Sequence, residues 1–202
     1  WTSRTDLSLP ALARLAPLAA ERELPEDWRP EAQFAEDIPA EARPELDTLG
    51  PVRWTPIEAP GWKLPDGIGG EVSLADYRGR PVIVILFLGL GCVHCIEQLT
   101  AFGPAYEEFT ARGIEIVAVG TDAPDVLEAG VGEDGEQAYP FPLAADPELN
   151  LFKSWRAYDD FEEVPLHGTY LIDGAGRLRW LDISFEPFLD WEFLLKESER
   201  LL

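Results

Sequence analysis

Residues 81–102 read PVIVILFLGLGCVHCIEQLTAF, and this stretch sets the architecture. It opens with 11 apolar residues, Pro81 to Gly91. A helix crossing a bilayer needs about 20, so the run reads instead as a buried strand. Its β-branched content suits that reading, as does a Pro at its first position, where a strand tolerates one. Beyond Gly89 and Gly91 the periodicity changes. Ile96, Leu99, Phe102, Tyr106 and Phe109 recur at steps of three or four, which makes one face of a helix. Pro104 is expected to bend it. Both cysteines of the chain, Cys92 and Cys95, fall at the junction of strand and helix, with His94 between them.

Working outward, RGIEIVAVGT (112–121) is a second buried strand following a helix-ending Gly113. A helical stretch around APDVLEAG (123–130) follows, then a Gly- and Asp-rich loop that includes GEDGE (132–136), which lacks calcium-loop spacing. DPELNLFKSWRAY (146–158) has a helix start in Asp146 and Pro147. GTYLID, GAG and RLRWLDI (168–183) read as strand, turn and strand, and EPFLDWEFLLKESERLL as a closing helix with Pro187 in its first turn. Upstream, LPDGIGGEVSL (64–74) reads as a tight hairpin, with Gly67, Gly69 and Gly70 supplying the unusual dihedrals. The order implies an α/β fold: a βαβ unit with parallel strands, then an antiparallel hairpin.

Residues 1–60 hold nine of the 18 prolines, too many for long regular structure. The expected division is a Pro-rich acidic extension or linker over 1–50 and one domain over 51–202. Trp28 and Phe34 are the anchors of the extension if it packs. The opening WTSRTD has no charged region ahead of an apolar run, so no signal peptide is expected there, and a fragment or processed form fits this start.

Asp and Glu number 38 against 16 Lys and Arg, a formal charge of −22. No Lys/Arg cluster offsets it, which argues against nucleic acid or an anionic membrane as partner. Trp54, Trp62, Trp155, Trp180 and Trp191 are expected to pack rather than to hold partners. The acidic pairs at 159–163 read as a solvated loop.

Two cysteines cannot build a disulfide scaffold, so the pair is redox-active or a ligand pair. At a helix start Cys92 meets free N–H groups and the positive end of the helix dipole. Both favour thiolate, whereas an ordinary thiol of pKa about 8.5 is only roughly 3% ionised at pH 7. Cys92 is expected to be the exposed attacker and Cys95, three residues on, the more buried resolver. His94 would add positive charge or a hydrogen bond. Glu97 lies near the site or faces water.

The chain resembles the AhpC/TSA family, the peroxiredoxin-like "redoxin" branch of the thioredoxin fold. The likeness runs from APGWKLPDGIGGEVSLADYRGRPVIVILFLGLGC through AYEEFTARGIEIVAVGTD, PFPLAADPELNLFKSW and GTYLIDGAGRLRW to the final helix, and does not include residues 1 to about 50. It implies a thioredoxin-like fold, a central mixed β-sheet flanked by helices, with the thiol at the start of the first long helix. Typical members carry a Thr three residues before the peroxide-reacting Cys and an Arg just before the strand ending in "ID". Those positions hold Gly89 and His167 here. The resemblance therefore implies dithiol–disulfide exchange at least as readily as peroxide reduction. It also implies that His167 stands beside Cys92, as a thiolate stabiliser or general acid–base. The candidate catalytic set is Cys92, Cys95, His94 and His167. Pro165 is a candidate for the cis-Pro of thioredoxin-like branches.

No cofactor is expected. The implied partners are a thiol reductant, a disulfide-containing protein or a peroxide. The alternative is a copper- or zinc-binding module with Cys92, Cys95 and His167 as ligands; His94, two residues from Cys92, would point away from them.

Overall fold

The computed structural model describes residues 56–129 and 139–202. The expected extension over 1–50, with Trp28 and Phe34, lies outside the described residues, as do Trp54 and the GEDGE segment. In chain order the elements begin with a hairpin of β1 (Lys63–Pro65) and β2 (Glu71–Ser73), followed by β3 (Val82–Phe87) and α1 (Val93–Thr110). Next come β4 (Glu115–Gly120), α2 (Pro124–Ala129), β5 (Leu143–Ala145) and α3 (Asn150–Ser154). The chain continues through β6 (Tyr158–Asp159), β7 (Val164–Pro165), β8 (His167–Ile172), β9 (Leu178–Ser184) and α4 (Trp191–Leu201). The central sheet runs β5-β4-β3-β8-β9; β3, β4 and β5 are parallel, and β8 and β9 are antiparallel to their neighbours. This is the expected mixed sheet with flanking helices.

Every residue of β3 is buried, because helices or loops cover both faces of the sheet. Its alternate side chains feed two cores. Ile83, Ile85 and Phe87 join Ile116, Ala118 and Leu171 against Leu99, Phe102 and Phe109 of α1 and Leu194 of α4. Val82, Val84 and Leu86 join Val117, Val119, Tyr170 and Ile172 against Leu74, Tyr77, Phe152 and Trp155. Strand β3 thus fixes α1 on one face and delivers the chain to the helix start.

Several expectations are adjusted. Helix α1 is one element through Pro104, and its inward face is carried by Cys95, Gln98, Leu99, Phe102, Ala105 and Phe109, with Ile96 and Tyr106 only half-buried. Helix α3 starts four residues after Asp146, whose carboxylate accepts the N–H groups of Asn150, Leu151 and Phe152 from a distance. Helix α4 starts at Trp191, not in the turn of Pro187, because the Asp190 side chain accepts the N–H of Phe193 and caps it. Of the hairpin glycines, Gly69 alone has positive φ, at +83°. The acidic pairs at 159–163 form the exposed turn of the β6–β7 hairpin, in keeping with a solvated loop, with Asp159 Oδ1 accepting the N–H groups of Phe161 and Glu162. Pro165 sits in β7, and no cis peptide bond occurs among the described residues. Trp155 is buried, and Trp62, Trp180 and Trp191 pack half-buried against the cores, as expected. Among the described residues no helix is long and apolar enough to cross a membrane.

Candidate active site

The turn from β3 into α1 is held from below by the end of β4. Thr121 Oγ1 donates to the Leu88 carbonyl at 2.9 Å, and the Leu90 N–H donates to Asp122 Oδ2 at 2.6 Å. Gly89 makes the turn at φ +108°, where a Cβ would also stand 2.9 Å from Asp122 Oδ1. A residue with a side chain is strained there, which gives a local reason for Gly at the position where the resemblance expects Thr.

Cys92 is the N-cap of α1, with extended backbone angles, and its Sγ accepts the N–H of Cys95 at 3.3 Å. The cap role of Ser or Thr has passed to a sulfur, so the anion-stabilising end of the helix acts on the Cys92 Sγ itself. Cys92 is partly exposed and Cys95 has no exposed surface. Cys95 Sγ accepts the Leu88 N–H at 3.2 Å. Burial, then the hydrogen bond and charge of Cys92, push the Cys95 thiol well up, and the Leu88 N–H opposes this only partly. The two thiols are therefore unlike, one open at a helix start and one enclosed.

His167 opens β8, and the antiparallel pairing of β8 with β3 brings it beneath the helix start. Its Nε2 lies 3.2 Å from Cys95 Sγ and 3.9 Å from Cys92 Sγ. Burial lowers its pKa below the ordinary histidine value, opposed by the backbone at Phe185 and Ser184 and the charge of Glu186. The shift favours the uncharged ring. Its Nδ1 is buried and has no partner of hydrogen-bond geometry among the described residues. His94 is not brought to the thiols. It faces solvent, with Nδ1 3.3 Å from Glu97 Oε2, and this places Glu97 at the surface too.

The Cys92, Cys95 and His167 ligand atoms all lie within 4.8 Å of one another, and no other group of three such residues occurs among the described residues. They could hold a soft metal, but that group contains no fourth ligand, where a structural zinc site asks for four. A largely apolar groove of about 510 Å³ on α1 is lined by Leu90, Gly91, Val93, Ile96, Glu97, Thr100 and Ala101, which include both chain neighbours of Cys92. A cavity of about 470 Å³ under Trp155 and Tyr170 lies on the other face of the sheet and touches none of the three residues.

The sequence did not single out Gln98, Thr121 or Asp122. Gln98 is fully buried one turn past Cys95, and its Nε2 donates to Thr169 Oγ1 at 3.0 Å and to the Phe188 carbonyl at 2.9 Å. The available signal was its place on the inward face of α1, three residues after Cys95.

The sequence model of the AhpC/TSA family matches residues 57–181. The chain belongs to the AhpC/TSA family. A Mycobacterium tuberculosis protein (strain H37Rv) named as a candidate peroxiredoxin is 32% identical over 133 residues, which cover 62% of this chain and 83% of that protein. A chloroplastic Peroxiredoxin Q of Oryza sativa subsp. japonica is 30% identical over 133 residues, 64% of this chain and 59% of that protein. Among solved structures, Plasmodium yoelii thioredoxin peroxidase I superposes with a TM-score of 0.63 at 22% identity, covering 73% of this chain and 90% of that one. A reduced Plasmodium vivax 2-Cys peroxiredoxin gives 0.64 at 20% identity, covering 73% of this chain and 95% of that one. The fold of this AhpC/TSA member is thus that of thioredoxin-like proteins. Its function is peroxiredoxin-like thiol redox chemistry, and the enzyme is a thiol-dependent oxidoreductase. The copper or zinc alternative is not favoured.

Proposed function

We propose that the chain reduces hydroperoxides through Cys92, with Cys95 as resolving thiol and His167 as its general base. The observation that carries the proposal is the convergence of a helix-capping thiol, an enclosed thiol and a neutral imidazole within 4.8 Å. The Cys92 thiolate attacks the outer peroxide oxygen. The O–O bond breaks, the departing alkoxide or hydroxide takes a proton from solvent and leaves as alcohol or water, and Cys92 becomes a sulfenic acid. Cys95 then attacks the Cys92 sulfur, releasing the second oxygen as water and closing a disulfide. An external thiol reductant returns the pair to the dithiol.

The division of labour follows from the unlike environments. Cys92 has the cap N–H and the helix dipole to hold its negative charge. The raised Cys95 thiol needs a base before it can attack, and the nearer His167 contact is to Cys95. With its proton on Nδ1, the imidazole presents the Nε2 lone pair to the Cys95 thiol. His94 contributes charge at most, from the surface. The thiols need no unwinding of α1 to meet, since they already share its first turn.

Disulfide exchange is the second reading. The apolar groove beside Cys92 favours it, because a chain flanking a substrate disulfide could lie there. Stopped-flow tryptophan fluorescence of the reduced protein with hydrogen peroxide and with a disulfide substrate chooses between the two. Faster oxidation by peroxide, with dimedone-trappable sulfenic acid accumulating on Cys92 in Cys95→Ser, is expected. Faster reaction with the disulfide, and no trappable intermediate, would overturn the peroxidase reading in favour of exchange.

A further inference from the structure

We infer that Gln98 is the positioning residue that holds His167 against the two thiols. This rests on the reading that Cys92, Cys95 and His167 carry the redox chemistry. A neutral histidine at a reactive site is ordinarily oriented by a hydrogen bond at its far nitrogen. At His167 that bond is weak: the backbone at Phe185 and Ser184 favours its protonated form, yet Nδ1 has no acceptor of full hydrogen-bond geometry among the described residues. Its orientation has to come from the elements around it.

Gln98 ties those elements together. It sits on α1, which carries both cysteines, and has no exposed surface. One of its donors goes to Thr169 Oγ1, two residues from His167 on the same face of β8. The other goes to the Phe188 carbonyl, in the segment that follows β9. The β9 residue opposite His167 is Ser184, so the chain from Ser184 to Phe188 runs from the imidazole back to the amide. A single NH₂ group therefore closes a ring of three elements around His167.

The rest of the amide argues that this use is specific. Gln98 Oε1 is buried without a partner among the described residues. A leucine would fill similar space with no unsatisfied atom, so packing alone does not call for a glutamine there. What a leucine lacks is the pair of donors that fix β8 and the 185–188 segment relative to α1.

The test reads the thiol and the imidazole separately. Closure of the Cys92–Cys95 disulfide after one equivalent of hydrogen peroxide, followed by rapid-quench mass spectrometry from pH 5 to 10, is compared in wild type, Gln98→Leu, Thr169→Val, His167→Ala and the Gln98→Leu/His167→Ala double variant. The ¹⁵N imidazole signals of His167 are recorded in the histidine-containing forms. Thr169→Val removes one Gln98 acceptor within nearly the same volume, and it carries the test if Gln98→Leu does not fold.

The expected result is a drop of about three- to tenfold in the rate of disulfide closure near neutrality for Gln98→Leu. A smaller drop is expected for Thr169→Val, with shifted or broadened imidazole signals in both. No further loss is expected when Gln98→Leu is added to His167→Ala. Profiles that superimpose on wild type, with unmoved imidazole signals, would overturn the inference, as would a Gln98→Leu loss that persists in full without His167. If His167→Ala leaves disulfide closure unchanged while Gln98→Leu still moves the imidazole, positioning stands and the role given to His167 falls.

Discussion

The two faces of β8 are built differently. On one, Gly168, Tyr170 and Ile172 face an apolar core, where the Tyr170 hydroxyl donates to the Trp155 carbonyl at 2.9 Å and Trp155 Nε1 to the Pro60 carbonyl at 3.0 Å, while Trp62 Nε1 at its edge is buried with no partner among the described residues. On the other, His167 and Thr169 share the α1 side with Leu171, and two buried polar atoms, Gln98 Oε1 and His167 Nδ1, have no partner among the described residues. Each such atom carries a desolvation penalty of about 1–3 kcal/mol. Both faces carry some of this cost, but on the α1 side the two atoms belong to His167, which meets the thiols, and to Gln98, one turn past Cys95. Local departures from good packing rules collect where chemistry occurs.

If that contrast is right, losing a thiol should silence the protein without unfolding it. Cys92→Ser is expected to lower turnover about a thousandfold or more, with an unchanged far-ultraviolet circular dichroism spectrum, because no other thiol has the helix-cap position. Phe102→Ala, in the α1-side core, should cost about 3–5 kcal/mol in urea denaturation while the pH profile of Cys92 alkylation keeps its shape. Gly89→Ala combines a left-handed backbone angle with a 2.9 Å approach to Asp122, and should lose about 1–3 kcal/mol and slow the thiol as the turn shifts. Tyr170→Phe, across the sheet, should cost only about 1 kcal/mol and leave the thiol untouched.

The weakest expected effect is the pH dependence from His167. Its folded pKa is lowered by burial, so the unfolded chain binds the proton first as pH falls. Its contribution to stability is whole above the ordinary histidine value of about 6.5 and declines as pH drops from there through the folded value. Melting temperature against pH from 7.5 to 5.5 should fall more steeply in wild type than in His167→Gln. Parallel curves would remove the buried, neutral imidazole from the account.

The residues show why some of this was legible in the chain. Strand β3 reads plainly, since both its faces are covered and every residue must be apolar. The Cys92 cap reads from the switch of period at Gly89 to Gly91. Strand β5 does not, because three buried residues, Leu143 to Ala145, are too few to show alternation. The start of α4 misled because Pro187 suits a first helical turn, while the side chain of Asp190 settles the boundary. His167 could be placed near the thiols only through family resemblance, since antiparallel pairing over a long separation leaves no local trace. Gln98 was hidden because a glutamine on a helix ordinarily faces water, and only the packed structure shows where its donors go.

The central claim is that unlike thiols divide attack and resolution, with His167 serving the second. Rapid-quench mass spectrometry of reduced protein mixed with one equivalent of hydrogen peroxide tests it most directly. A transient Cys92 sulfenic acid should convert to an intramolecular Cys92–Cys95 disulfide, with conversion slowed in His167→Ala while the first oxidation persists. Oxidation that begins on Cys95, or disulfide closure at the same rate without His167, would contradict it.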